Sequence, residues 1–194
     1  MELSLGKYTI RSWRETDAEP LQRYADNRKI WLNLRDIFPQ PYTLEDAQWW
    51  VVHASQEDPE CSFAIATGDE PIGGIGLVLG DDVNRCSAEL GYWLAEPFWG
   101  QGITTDVVRS FTEWGFEHFS LNRIFATPFA GNTASERVLE KAGFTREGVM
   151  KNAIVKDGVV RDQVMYAKIR AKGPLGMVGD TGLEPRAATG ACTE

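Results

Sequence analysis

The segment from Gly91 to Asp106 constrains this chain most, because an extended run there breaks straight into a glycine-flanked helix start. Tyr92 to Leu94 end a strand pattern that opens near Arg85. Pro97 stops it, since proline cannot donate to a ladder. Gly100 and Gly102 then bracket Gln101, and Ile103, Val107, Phe111 and Trp114 recur at helical spacing. Glycine lets a backbone approach a ligand closely. The free N–H groups of a first helical turn point outward with the positive end of the helix dipole. Together they make a seat for a phosphate or pyrophosphate. A glycine-rich turn that merely leads into a helix accounts for the same residues, and this segment alone does not choose between the two.

The rest of the chain sets the frame. Its 194 residues, 43% hydrophobic and 25% charged, suit one soluble globular domain with a real core. No apolar run approaches the length of a membrane span, and the first residues lack signal-peptide organisation, so no membrane partner is expected. Cys61, Cys86 and Cys192 show no close metal spacing and an odd count, which points to a reduced, cytoplasmic setting and no metal site. Both Cys61 and Cys86 fall in strand patterns and read as buried apolar residues. A net charge of -8 argues against broad nucleic-acid binding; it suits cationic substrates such as amines, or simply a solvated acidic surface.

Periodicity predicts a strand at Tyr8–Trp13, a helix from Asp17, and a second helix capped by Thr43 with Asp46 close behind. Strands follow at Ser62–Ala66, Ile72–Leu79 and Arg85–Leu94, then the glycine loop and its helix. A further strand at Arg123–Thr127 precedes a short helix through Lys141, with Thr133 and Glu136 as a capping box and Gly143 as its stop. Met150–Lys156 and Val159–Ile169 make a hairpin about Asp157-Gly158. After Arg170 the sequence is rich in Gly, Pro, Thr and Ala without period, so the domain is read as 1–170 and 171–194 as a flexible tail. The order is a mixed α/β (α+β) sheet of about seven strands flanked by about four helices, with a strand–helix–strand crossover after its central strand.

The glycine loop lacks the Lys-Ser/Thr pair of a P-loop and the third glycine of a dinucleotide fingerprint. It resembles the pyrophosphate loop of the GCN5-related N-acetyltransferases (GNAT), in the Trp99-Gly100-Gln101-Gly102 form of the RimJ/RimL-like branch. In the general Arg/Gln-x-x-Gly-x-Gly/Ala pattern, Trp99 and Thr104 depart at the outer positions and Gly102 keeps the central one. The segment from Asn132 to Ser135 with Val138 to Phe144 resembles the family's pantetheine-contacting stretch, and the element order is that of the GNAT fold. Ile10 to Trp13, Pro41 to Ala47, Gly148 to Lys151 and Asp162 to Ala167 are similar to the same branch, so the likeness runs over roughly residues 3 to 170.

That resemblance implies an acetyl-CoA-dependent N-acetyltransferase acting by direct transfer to a primary amine, with a protein N-terminal α-amine of the ribosomal-protein type as acceptor. A polyamine, amino acid or aminoglycoside is the alternative acceptor, and a non-catalytic acyl-CoA-binding protein the alternative class. Cofactor contacts are expected from Tyr92, Trp93, Leu94, Trp99, Gly100, Gln101, Gly102, Ile103, Thr104, Thr105 and Asn132, with backbone N–H groups around Trp93–Leu94 for the oxyanion. On chemistry alone, Asn132 and Ser135 are equally a helix cap and a first-turn hydroxyl bonded to the backbone. Glu89 is the expected base and Ser135 the expected acid. Two positions depart from the family: Leu139 stands where many members carry an acidic Tyr, and Ile154 where this branch carries a carboxylate. His118 and His53 read as structural, and Trp31, Trp49 and Trp50 as core residues or walls of the acceptor pocket. Assembly as a homodimer is left open.

Overall fold

The computed structural model describes residues 1–171, so the expected tail lies, apart from Ala171, outside the described residues. One sheet runs through the molecule with its eight strands in the order β1-β2-β3-β4-β5-β6-β8-β7. The strands are β1 (Glu2–Leu5), β2 (Tyr8–Ser12), β3 (Ser62–Thr67), β4 (Glu70–Leu79), β5 (Ser87–Leu94), β6 (Arg123–Ala126), β7 (Thr145–Lys156) and β8 (Val159–Ile169). All neighbours are antiparallel except β5 and β6, which the crossover helix joins in parallel. The helices are α1 (Ala18–Ala25), α2 (Arg28–Trp31), α3 (Leu44–Ser55), α4 (Ile103–His118) and α5 (Thr133–Lys141).

Alternation along the strands divides the core into two layers. Phe63, Ile65, Ile75, Leu77, Leu90 and Leu94 pack against Ile103, Val107, Val108 and Phe111 of α4. On the other face Ala64 and Trp93 meet Trp13 and the apolar stripes of α1 and α3: Leu21, Ala25, Ala47, Val51 and Ala54. Under that second layer Arg11, 3% exposed, holds Asp17, 1% exposed, in a two-pronged bond of 2.7 and 2.8 Å. Asp17 also accepts from the Arg14 N–H at 2.9 Å, so one carboxylate fixes the turn that starts α1.

The predicted elements differ from the observed ones where signals are short or interrupted. β1 is one strand more than expected, closed onto β2 by Gly6 at φ 76°. The single turn of α2 starts because the Asn27 side chain accepts from the Lys29 N–H; four residues are too few to show a period. β7 begins at Thr145 rather than Met150, and register shifts at Arg146/Gly148 and Met150/Ile154 break its alternation. On α5 the cap is Asn132, whose Oδ1 accepts from Ser135 N at 3.2 Å, and not the expected Thr133–Glu136 box. Cys61 and Cys86 are half-buried residues just outside β3 and β5, in place of the buried strand positions expected for them. The Thr43–Asp46 capping box of α3 forms as predicted, with bonds of 3.2 and 2.8 Å.

Candidate functional site

β5 and β6 pair only from Ser87↔Arg123 to Glu89↔Phe125, and beyond Glu89 they part. β6 instead follows β8, while β5 stays on β4 to its end at Leu94. Backbone groups alternate sides along a strand. Ser87 O accepts from Gly80 N, and Ala95 N donates to Ile72 O, so the odd-numbered residues of β5 face β4. The even-numbered residues Leu90, Tyr92 and Leu94 therefore turn their N–H groups toward the gap. This corrects one expectation: Trp93, paired with Gly74, has its N–H in the β4 ladder and its ring against Phe38 at 5.9 Å, away from the gap as an oxyanion donor.

The end of β5 carries the glycine loop. Leu94 O accepts from Trp99 Nε1 at 2.7 Å, and Pro97 O accepts from Gln101 Nε2 at 3.2 Å, which pins the loop by its side chains. Gly100 and Gly102 adopt φ 75° and 82°, the left-handed region where glycine is at ease. Gly102 is the N-cap of α4, and its carbonyl takes up the N–H groups of Thr105 and Asp106. Among the described residues nothing accepts from the N–H groups of Gly100 through Thr104. A Cβ built on Gly100 or Gly102 would meet no atom within 4 Å, so the loop faces open space. Ile103 buries its side chain in the core, leaving its N–H as its contribution here; Thr104 and Thr105 are half-buried. An exposed array of unpaired N–H groups at a helix start fits the phosphate oxygens of a nucleotide cofactor.

On the α4–α5 side of β5, the Tyr92 hydroxyl lies 2.8 Å from Ser135 Oγ. Burial pushes the Tyr92 phenol up to about 12, with the bond to Ser135 pulling weakly the other way. Asn132 and Ser135 are thus joined twice, to each other through the cap and to β5 through Tyr92. Leu139 is fully buried beneath them.

Glu89 points to the opposite side of β5 from Tyr92. There a cavity of about 420 Å³ lies between the 34–36 loop, the parting of β5 and β6, and the β7–β8 hairpin. Glu89 Oε1 accepts from Thr127 Oγ1 at 2.8 Å, and Gln163 Nε2 donates to Thr127 O at 3.2 Å. Glu89 Oε2 accepts from Arg35. Ile154, Val155 and Phe129 supply apolar wall. Lys156, 1% exposed, donates to Asp36 Oδ1 at 2.7 Å and sits 3.7 Å over the Trp31 ring.

Tyr92, Ser135 and Asn132 thus lie on one face of β5 and Glu89 on the other, beside the point where β5 and β6 part. Arg35, Asp36, Thr127 and Lys156 were not singled out by the sequence, and Gln163 only as part of the Asp162–Ala167 stretch; each reaches the cavity through partners distant in the chain. His53 stacks on Trp49 at 4.8 Å and His118 on Trp114 at 4.6 Å, so both histidines are taken up on their own helices. Trp49 and Trp50 do not line the cavity, and Trp31 borders it only through Lys156. Among the described residues no cluster of His, Cys, Asp or Glu could hold a metal ion. No helix among them is long and apolar enough to cross a membrane.

Comparison with known proteins agrees with this geometry. Residues 7–145 match the family described as the acetyltransferase (GNAT) domain. The probable N-acetyltransferase YjcK of Bacillus subtilis (strain 168) is 33% identical over 149 residues, 73% of this chain and 82% of that one. The ribosomal-protein-serine acetyltransferase of Escherichia coli (strain K12) is 28% identical over 159 residues, 80% and 88% of the two chains. Among solved structures, Mycobacterium smegmatis RimJ in complex with a CoA-disulfide superposes with a TM-score of 0.75 at 25% identity, covering 84% of this chain and 82% of that one. The chain belongs to the GNAT family of acetyltransferases and is an N-acetyltransferase.

Proposed function

We propose that the chain uses acetyl-CoA to acetylate the α-amine of a protein N-terminus, in the manner of the ribosomal-protein acetyltransferases it resembles. The observation that carries this reading is the gap between β5 and β6, with unpaired N–H groups on one side of it and a carboxylate-bearing cavity on the other. The name of the Escherichia coli relative supports a protein acceptor, and the CoA-bound RimJ structure supports the acyl donor.

The N–H groups of Gly100 to Thr104 hold the pyrophosphate. Asn132 and the free edge of β5 guide the pantetheine arm, and the N–H groups of Tyr92 and Leu94 face the developing oxyanion. The amine enters from the Glu89 cavity and attacks the thioester carbon; the N–C bond forms as the C–S bond breaks. Glu89 takes the amine's proton, directly or through a water molecule. Ser135, bonded to a Tyr92 hydroxyl that stays protonated at neutral pH, supplies a proton to the departing thiolate. Leu139 cannot do this, and the Tyr92–Ser135 pair takes over the role a Tyr at that place would have.

The test is CoA release from acetyl-CoA, followed with a thiol reagent, across N-terminal peptides, lysine side-chain peptides, polyamines and aminoglycosides. Mass spectrometry should find the acetyl group on the peptide α-amine. Turnover confined to polyamines or aminoglycosides would reject the N-terminal acceptor.

A further inference from the structure

The Glu89 cavity is lined by two neighbouring loop residues that each pair with a charge of the opposite sign. The Arg35 guanidinium lies on the Glu89 carboxylate, and the Asp36 carboxylate on the Lys156 ammonium. The exposures differ in a way that decides which partner is fixed. Arg35 and Asp36 side chains are 62% and 72% exposed, while Glu89 and Lys156 are 23% and 1% exposed. The sheet thus holds an anion and a buried cation in one cavity, and an irregular loop with no strand or helix fills both. A buried ammonium gains most from an anionic partner that offsets its lost hydration, so another anion is the group best suited to take the place of Asp36. A cation of the amine class can likewise take the place of Arg35.

Resting on the reading of acetyl transfer to an α-amine, we infer that Arg35 and Asp36 act as a built-in pseudosubstrate. The acceptor they mimic is a peptide N-terminus with Asp or Glu at or next to its first residue. Its ammonium replaces the guanidinium at Glu89, and its side-chain carboxylate replaces Asp36 at Lys156. A free amino acid carries the same two charges on one carbon. The charges that now occupy the two anchors come from consecutive residues, Arg35 and Asp36, so the anchors lie as far apart as side chains on neighbouring residues of one chain can reach. That separation favours a carboxylate set off from the amine by a side chain and a peptide bond. Lys156 is then the residue that selects the acceptor, and Arg35 competes with it for Glu89.

The inference is tested by calorimetric titration of the full chain, saturated with CoA, with the amidated peptides Ser-Glu-Ala-Ala and Ser-Gln-Ala-Ala and with free glutamate. The Glu peptide should bind at least about tenfold tighter than the Gln peptide, and tighter than glutamate. Lys156→Met should erase that ratio while leaving the Gln peptide's affinity unchanged, and Lys156→Arg should restore most of it. Asp36→Asn changes only the charge of a side chain that is 72% exposed, so it remains informative should Lys156→Met fail to fold; by leaving the buried Lys156 ammonium without its anion it should tighten the Glu peptide. Arg35→Ala should tighten both peptides by removing the competing cation. Equal affinities of the two peptides, a preference that survives Lys156→Met, or an Asp36→Asn variant no tighter for the Glu peptide would each overturn the inference. Tighter binding of free glutamate would overturn the peptide assignment. Lys156-dependent binding without release of CoA when acetyl-CoA is supplied would instead reject the transfer reading and leave this subsite standing.

Discussion

Tyr92 and Ser135, 43 residues apart, meet hydroxyl to hydroxyl at 2.8 Å and join the free edge of the central strand to the first turn of α5. The contact gives a direct prediction. Ser135→Ala should lower kcat by roughly 10- to 100-fold, at or below the low end of general acid–base effects, because a thiolate is a good leaving group near neutral pH. Affinity for acetyl-CoA, measured by calorimetry, should stay near the parental value. An unchanged kcat would remove Ser135 from proton transfer.

The same contact predicts a pH effect on stability. A free tyrosine ionises near pH 10, and burial pushes Tyr92 up to about 12 in the folded chain. The folded state therefore keeps a proton that the unfolded chain releases. The stability linked to it is whole below about pH 10 and is lost as pH rises toward 12. Melting temperature should fall over that window, and the fall should be shallower in Tyr92→Phe. Parallel melting curves for parent and variant would show that the phenol does not titrate with unfolding.

The glycine loop and the helix it opens were legible because their signals are local. Pro97, Gly100 and Gly102 and the α4 stripe of Ile103, Val107 and Phe111 lie within a few turns of one another. The Thr43 cap of α3 is equally local. The Glu89 cavity was not legible, since its contacts join residues far apart in the chain. Arg35 meets Glu89 across 54 residues, Lys156 meets Asp36 across 120, and Arg28 meets Asp157 across 129. Lys156 beside an Asp-Gly turn reads as a solvated residue; only the packing of the hairpin under Trp31 buries it. Glu89 could be named from the family resemblance, but its bonds to Thr127 and Arg35 could not.

The glycine loop makes a separable prediction. Gly102→Val should weaken acetyl-CoA binding by about tenfold or more, because a β-branched residue resists the left-handed backbone that aims the N–H groups. Asn tolerates that conformation better, so Gly102→Asn should restore the backbone and lose less affinity. Equal affinity of parent and Gly102→Val, in folded protein, would take the loop out of the cofactor site.

The Arg11–Asp17 pair predicts a large effect on folding with little on chemistry. Asp17→Ala leaves a buried guanidinium without its carboxylate and removes the bond to Arg14 N. Loss of one partner from such a pair costs roughly 3–5 kcal/mol. Urea unfolding should show a loss in that range; a change below about 1 kcal/mol would mean that water reaches the pair.

Glu89 carries the most exacting prediction, because its two oxygens are already engaged by Thr127 and Arg35. Glu89→Gln keeps the shape and can still accept from Thr127, but it cannot take up the amine's proton. General-base catalysis contributes about 10²–10⁴-fold, so kcat/KM for the acceptor should fall within that range while acetyl-CoA affinity holds. The pH–rate profile of the parent should rise with pH, and part of that rise should vanish in the variant. Thr127→Val separates position from chemistry: it removes a hydrogen bond that orients the carboxylate, and should lower kcat by less than Glu89→Gln while keeping the pH dependence. Should Glu89→Gln turn over at the parental rate with a true acceptor, the carboxylate serves only to hold Arg35, and the proton leaves through water.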